Sequence, residues 1–473
     1  MHPTGARPGD GGPAARGMRT FFLVLVGQVF SLLGSGMTGF ALVIWAYLIT
    51  GQATTLALAA LFYFAPTVLF SPLAGALVDR WDRRLTMMLS DLAQGLTTVV
   101  MLPLFVTGAL EIWHWYLAGA VAGTFAAFHF PAYSAAVTTM IPKAQYGRAS
   151  GLLSVAESAS GIFAPVAAAA LLGLLGIQAG VPAIMLLDIG TFSVAIGILL
   201  VVKIPKPPRT AAGRAAQGGL LKESVFGFRY IAGRRSLLGL QLVFFAVNLI
   251  GTLGFTLVPP MVLARAGNDA LVLGSVQSAG AIGGVVGGVA MSSWGGPKRR
   301  VHGVLGGMAL EGVFGLTLIG VGPGPALWAA GSFLSAFFIP IINGSNQAIW
   351  QAKVPPDIQG RVFAARRLIA QITIPIAMGI AGPLADRVFE PGIREGGSLS
   401  GAFGWLVGTG PGSGIALMLV LCGILGTAVG LSAYGVRAVR DAEALLPDHD
   451  AAPAPGDARA MQAGGERRRK RKA

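Results

Sequence analysis

The sequence predicts an all-α integral membrane protein of twelve transmembrane helices in two pseudo-symmetric six-helix halves. Three observations predict it. Twelve apolar stretches, each about 20 residues or longer, run from Phe21 to about Gly435. A stretch of that length spans the ~30 Å hydrocarbon core as a helix with its backbone polar groups paired internally. All but three of the 35 Lys and Arg residues fall on one side of the implied membrane, and basic loops stay cytoplasmic. Turn sequences also recur: Pro142 to Arg148 and Pro355 to Arg361 share a Pro-x4-Gly-Arg spacing, and Arg83-Arg84 returns as Arg299-Arg300 at nearly the same offset. Such duplicated halves are common in secondary transporters.

Composition agrees. The chain is 54% hydrophobic and 12% charged, with mean hydropathy +0.68; soluble proteins average about 25% charged residues. The +15 net charge reads as cytoplasmic topology charge, so no nucleic-acid partner is expected. Cys422 is the only cysteine, which leaves no disulfide framework or cysteine metal site within one chain. No metal or cofactor is expected.

Taken in order, the predicted spans are 20–50, 54–78, 85–108, 113–141, 149–175 and 181–202 in the first half. Those of the second half are 236–265, 270–294, 301–322, 325–352, 362–389 and 411–436. The first run is too long for a signal-peptide core, so it is read as a retained helix. Residues 1–19 are a cytoplasmic N-terminal segment, 20–202 the first half and 236–436 the second. Between the halves, 203–235 opens with a basic Pro-rich linker. It continues from Leu220 with apolar Leu221, Val225, Phe228 and Ile231 at helical spacing, which suits a helix on the inner membrane surface. Residues 437–473 read as a disordered cytoplasmic tail ending in the run Arg467 to Lys472, attractive to anionic inner-leaflet lipids or simply solvated. Only Arg265, Arg387 and Arg394 fall on the outer side. Both termini are therefore placed in the cytoplasm, of a bacterial cell (inner) membrane.

The first cytoplasmic hairpin reads Gly75-Ala-Leu-Val-Asp79-Arg80-Trp81-Asp82-Arg83-Arg84. Gly75 permits close helix approach. An Asp at the membrane edge needs a partner, such as a helix N-terminus or an Arg. A pair that forms in one state of a rocking transporter and breaks in the other is a conformational latch, made here of Gly75, Asp79, Arg80, Arg83 and Arg84. The pattern resembles the signature loop of the major facilitator superfamily. Within it the chain is similar to the branch of macrolide efflux proteins and the enterobactin exporter. The residues carrying this are Asp79 to Arg84, Phe130-Pro131-Ala132, and Gln347 to Pro355 with Arg361 to Arg367. The resemblance implies the major facilitator fold. There are departures: Asp82 stands where the superfamily loop usually has Gly, the fourth span has no Arg, and the second-half loop Trp294 to Arg300 has lost its Asp. On the fifth span, Gly161, Ala164 and Pro165 resemble a small-residue version of the superfamily's antiporter motif, which favours export; ordinary small-residue packing is the alternative.

Acids inside spans are expensive and point to function. Glu157 is the first candidate for proton or cationic-substrate coupling, then Glu311 and Asp188. Asp91, near the cytoplasmic end of the third span, is read as support for the basic loop, and His129 as a packed residue. Span ten clusters Asn343, Ser345, Asn346 and Gln347. With Gln28 and Asn248, Asn343, Asn346 and Gln347 are the candidates for a substrate cavity; helix pinning is the alternative.

The leading expectation is a secondary active exporter of an amphiphilic small molecule (drug, siderophore or secondary metabolite), driven by proton exchange, working as a monomer by alternating access. Its partners are then the cargo, protons and the bilayer. A proton-coupled metabolite importer and a non-transporting sensor are the alternatives. No Gly-x4-Gly-Lys-Ser/Thr loop is present, against a self-contained ATP-driven pump. Five scattered histidines do not supply an enzyme's constellation.

Overall fold

The computed structural model describes residues 13–78, 81–141, 146–202, 220–446 and 448, and every regular element among them is helical. In chain order the long helices are α1 (Pro13–Thr50), α2 (Ala53–Val78), α3 (Arg83–Val106) and α4 (Ile112–Met140). Tyr146–Val201 follows, and Gly176 divides it into α5 (146–175) and α6 (177–201) with a non-helical φ of 69°. The chain doubles back there: a Cβ on Gly180 would lie 3.2 Å from the Leu172 Cα. Then come α7 (Leu220–Ala232), α8 (Arg235–Arg265) and α9 (Ala270–Trp294). Next is α10 (Arg300–Glu311), extended by the π-helical Gly312–Thr317 and by Leu318–Val321, then α11 (Pro325–Lys353). The composite rod α12 joins Pro356–Gln371, Thr373–Leu384, Ala385–Phe389 and Glu390–Ile393, and α13 is Ser413–Ser432.

Among the described residues, ten helices are long and apolar enough to cross a membrane. One of these, Ser158–Val201, is 44 residues long and contains the Gly176 reversal, so it supplies both α5 and α6. The 29-residue α4 stands beside those ten.

Glycine permits the tightest crossings. A Cβ on Gly123 of α4 would fall 1.9 Å from the Tyr63 carbonyl oxygen of α2; on Gly283 or Gly287 of α9, 2.1 Å from the Phe333 or Phe337 carbonyl oxygen of α11. No side chain fits there. Small-residue contacts of this kind replace the hydrophobic driving force that lipid removes. They occur at equivalent places in the two halves, between the second and fourth long helix of each.

The halves meet along two seams. In the first, Ser278 Oγ on α9 donates 2.7 Å to the Ile162 carbonyl of α5, and a Cβ on Gly274 would sit 3.1 Å from the Pro165 carbonyl oxygen. In the second, α12 lies against α2: a Cβ on Gly382 would meet the Thr54 Cα at 2.4 Å, and Asp386 reaches the first turn of α2. Both seams lie toward the end of the bundle with few basic residues.

The opposite end is tied by basic side chains. Asp82 Oδ1 accepts from Arg84 N (3.0 Å) and Leu85 N (3.2 Å), capping α3. Arg84 Nε donates 2.5 Å to the Leu199 carbonyl and Arg84 Nη2 donates to that of Leu200, satisfying the orphan carbonyls that end α6. In the second half Arg299 reaches Asp441 Oδ1 at 3.1 Å and the Arg440 carbonyl at 3.3 Å, just beyond α13.

The disordered tail expected from 437 does not begin there. Arg437–Arg440 and Ala442–Leu445 are helical turns. Glu443 Oε2 accepts from Val301 N at the start of α10 (3.0 Å), and Lys353 Nζ donates to the Glu443 and Leu446 carbonyls, both at 2.5 Å. Lys353 has four methylenes to bury and three protons to place, and these carbonyls take two of them. The run Arg467 to Lys472 lies outside the described residues, as do the linker residues 203–219.

Candidate functional site

The functional candidates converge inside the first half. Gln28 and Ser35 are seven residues apart on α1, two turns along one face. Asp91 and Thr98 have the same spacing on α3. The two helices face each other, so the polar residues form two rungs. On the lower rung Gln28 Nε2 donates 3.1 Å to Asp91 Oδ2, and His129 Nε2 of α4 lies 3.0 Å from Asp91 Oδ1. On the upper rung Ser35 Oγ donates 3.0 Å to Asp188 Oδ1, and Thr98 Oγ1 donates 2.8 Å to Asp188 Oδ2. Each carboxylate thus bridges three helices.

Glycine brings the upper rung together. A Cβ on Gly34 would lie 2.2 Å from Thr191 Oγ1 and 3.0 Å from Asp188 Oδ1; one on Gly95 would collide with the Phe192 ring at 2.6 Å. α6 therefore reaches α1 and α3 only because both positions lack a side chain.

All six rung residues line one cavity of about 570 Å³. Tyr63, Phe64, Met101, Trp115 and Phe192 supply much of its apolar wall. Asp91 and Asp188 are 5% and 2% exposed, and a carboxylate so deep in a membrane protein is expensive unless hydrogen-bonded. Such a chamber suits an amphiphile: aromatic and thioether walls for its apolar body, and carboxylates for a proton or a cationic group. The Asp91 carboxylate and the His129 ring stand 3.0 Å apart on this wall.

Sequence reasoning found part of this. Asp188 and Gln28 line the cavity. Asp91, read as support for the basic loop, and His129, read as packed, meet at the cavity wall. The available signal was the seven-residue spacing shared by Gln28–Ser35 and Asp91–Thr98. The Glu157 side chain, Asp79, Arg80 and the surroundings of Gly75 lie outside the described residues. Of the rest of the expected latch, Arg83 opens α3, and Arg84 ties α3 to α6.

The remaining candidates lie elsewhere. Glu311 is buried in the second half, where Ser335 Oγ donates 2.5 Å to its Oε1. The π-helical turn begins at the next residue; such turns recur at functional sites. The span-ten cluster does not form a cavity wall around the rungs. Asn346 Oδ1 accepts from Trp350 Nε1 (3.0 Å), Gln347 Oε1 accepts from Arg366 Nη1 (2.7 Å), and Arg366 stacks over the Trp350 ring at 5.2 Å. The two Arg366 contacts pin α11 to α12, while the Asn346–Trp350 bond stays within α11. Asn343 is exposed and Asn248 half-buried. Gly161 and Pro165 pack on α9, where a Cβ on Gly161 would lie 3.6 Å from Ala281 Cβ, while Ala164 Cβ sits 2.9 Å from where a Cβ on Gly36 would be. The fifth-helix motif therefore lies on a seam between the halves.

Asp386, inside the span expected at 362–389, is a further acid that the fold brings to a partner. Its Oδ1 and Oδ2 accept from Ala53 N (3.1 Å) and Thr54 N (2.7 Å) across the halves.

Comparison with known proteins follows the same lines. A family profile described as Major Facilitator Superfamily matches residues 24–378. Macrolide efflux protein A of Streptococcus pyogenes is 26% identical over 377 residues, covering 78% of this chain and 90% of that protein. Macrolide efflux protein A of Enterococcus faecalis is 26% identical over 337 residues, covering 69% and 100%. Among solved structures, a bacterial homologue of the human lysosomal transporter Spinster, inward-facing and unoccupied, superposes with a TM-score of 0.65 at 15% identity, covering 92% of this chain and 98% of that one.

Proposed function

The chain belongs to the Major Facilitator Superfamily, a family of multi-pass membrane transporters rather than enzymes, and from that premise we propose that it is a proton-coupled exporter of an amphiphilic small molecule. The observation that carries the proposal is the first-half cavity, where the buried Asp91 and Asp188 stand at an otherwise largely apolar wall. The efflux relatives favour export and make macrolides the first cargo to try. The basic loops favour a bacterial inner membrane with both termini in the cytoplasm.

The seams at the charge-poor end then close the outer face, and the state is one that loads cargo from the cytoplasm. Cargo enters with Asp91 and Asp188 ionised and its polar group near the rungs. Rocking of the halves exposes the chamber outside. Protons entering there take the carboxylates, His129 reorients on a neutral Asp91, and the cargo's polar group loses its partners. Return to the inner face releases the protons down their gradient. Asp188 stays a proton-coupling candidate, joined by Asp91 with His129; Glu311 and Glu157 are secondary candidates. In the outward state the Asp79 loop serves as the inner latch. The first-half and second-half boundaries at 20–202 and 236–436 set the rigid bodies that rock.

The test is accumulation of a labelled macrolide and of ethidium in an efflux-deficient bacterium, with wild type, Asp91→Asn or Asp188→Asn, and with or without an uncoupler. Wild type should lower accumulation, and mutation or uncoupler should restore it. Net accumulation above the empty-vector level would instead indicate an importer.

A further inference from the structure

We propose that Asp386 is the outer latch of the transport cycle, a positioning residue of the second half that supplies the missing N-cap of α2 in the first. This inference rests on the alternating-access reading above.

A helix leaves its first N–H groups without partners, and a Ser, Thr, Asp or Asn just before the first turn normally accepts from them. α2 has none in place. It begins at Ala53 after Gly51 and Gln52, and the nearby Thr50 hydroxyl is spent on Gln52 N (3.3 Å) and the Ala46 carbonyl (2.7 Å). The cap comes from some 330 residues away in sequence: both Asp386 oxygens accept from consecutive N–H groups of α2. One turn earlier on α12, Gly382 lets the two backbones approach so closely that a Cβ would lie 2.4 Å from the Thr54 Cα. The carboxylate and the glycine act as one contact.

The next acid on the same face shows the contrast. Glu390, four residues on, accepts from Ile415 N (2.9 Å) and Gly412 N (3.3 Å) at the start of α13. That is the same chemistry, but both partners belong to the second half, so the bond survives any rigid-body rocking. The Asp386 bonds cross the seam and must break when the outer face opens. A cavity of about 510 Å³, with Tyr47, Gln52, Asp386, Glu390 and Arg394 in its wall, flanks the contact. Water at hand can solvate the freed carboxylate and N–H groups, which keeps the latch reversible. Asp79, which follows α2 in sequence, is the expected inner latch.

The experiment measures conformational balance, apart from transport. Nitroxide pairs on Thr107→Cys and Glu395→Cys, in full-length protein carrying Cys422→Ala, report the outer distance between the halves by pulsed electron resonance. Asp386→Ala removes both acceptor oxygens, whereas Asn would keep one. Ala53→Pro deletes one donor at the first helical position, where proline is tolerated. Both should raise the outward-open fraction, by a factor between about 2 and about 30, the range set by loss of an N-cap. The double variant should add little to the larger single effect, because both remove one interaction. Glu390→Gln should leave the distance distribution unchanged. Unaltered distributions in both Asp386→Ala and Ala53→Pro, or an equal shift in Glu390→Gln, would overturn the latch. A shift without any detectable export would leave the latch standing and count against the export reading instead.

Discussion

His129 Nε2 lies 3.0 Å from Asp91 Oδ1, on the wall of the first-half cavity. Gln28 holds the other oxygen of that carboxylate at 3.1 Å, so the acid has an amide on one oxygen and an imidazole beside the other. In a transporter this is a means of coupling a proton to a rearrangement. His129→Gln should preserve packing but flatten the dependence of efflux on external pH between 5.5 and 8, with activity reduced by about 100-fold, the lower end of the scale for a lost acid–base partner. An unaltered pH profile would make His129 structural.

Gly34 should be intolerant of any side chain. Its Cβ would fall 2.2 Å from Thr191 Oγ1 and 3.0 Å from the Asp188 carboxylate. Gly34→Val forces α1 and α6 apart, an overpacking penalty of about 1–3 kcal/mol. Thermal unfolding in detergent should show a lowered Tm, and Asp188 should lose its place between Ser35 and Thr98. Wild-type stability with Gly34→Val would contradict the close approach.

The segment after α13 should act as a staple on the second half. Lys353 Nζ holds the Glu443 and Leu446 carbonyls at 2.5 Å each and Asp448 Oδ1 at 2.7 Å. Truncation after Asp448 should leave stability unchanged. Lys353→Met should cost about 1–3 kcal/mol through carbonyls left with poorer partners, read as faster amide exchange over 437–446. Equal exchange in Lys353→Met and wild type would refute the staple.

Asp441 gives this staple a pH limit. The hydrogen bond from Arg440, with Arg299 adding to it, holds the Asp441 carboxyl below the ordinary carboxylate range. A depressed folded pKa stabilises above the unfolded value near 4 and is lost as pH falls through the folded value. Exchange over 437–446, corrected for intrinsic rates, should therefore be flat from pH 8 to 5 and rise only below about 4. A rise between pH 8 and 5 would place its origin elsewhere.

The helical membrane architecture was legible because it depends on length, apolarity and loop charge, which the chain carries locally. Asp188, Glu311 and Gln28 were legible as polar residues where lipid forbids them. Their partners were not. Asp91 sits near a basic loop in sequence but faces α4 in space, and Asp386 meets its donors some 330 residues away. Asn346 and Gln347 illustrate the reverse: a polar cluster that had to face inward, but spent on Trp350 and Arg366 rather than on a cavity around the rungs. Polarity inside a span marks an interior position, while the choice between cavity and helix contact depends on which neighbour the fold supplies.

The central claim is proton-driven export through the first-half cavity. The most direct measurement uses everted membrane vesicles from an efflux-deficient bacterium, loaded by an imposed pH gradient, with uptake of a labelled macrolide followed for wild type and Asp91→Asn. The account predicts gradient-dependent uptake by wild type that an uncoupler collapses and that Asp91→Asn lacks, at similar protein levels. Uptake by Asp91→Asn equal to wild type, or wild-type uptake indifferent to the gradient, would contradict it.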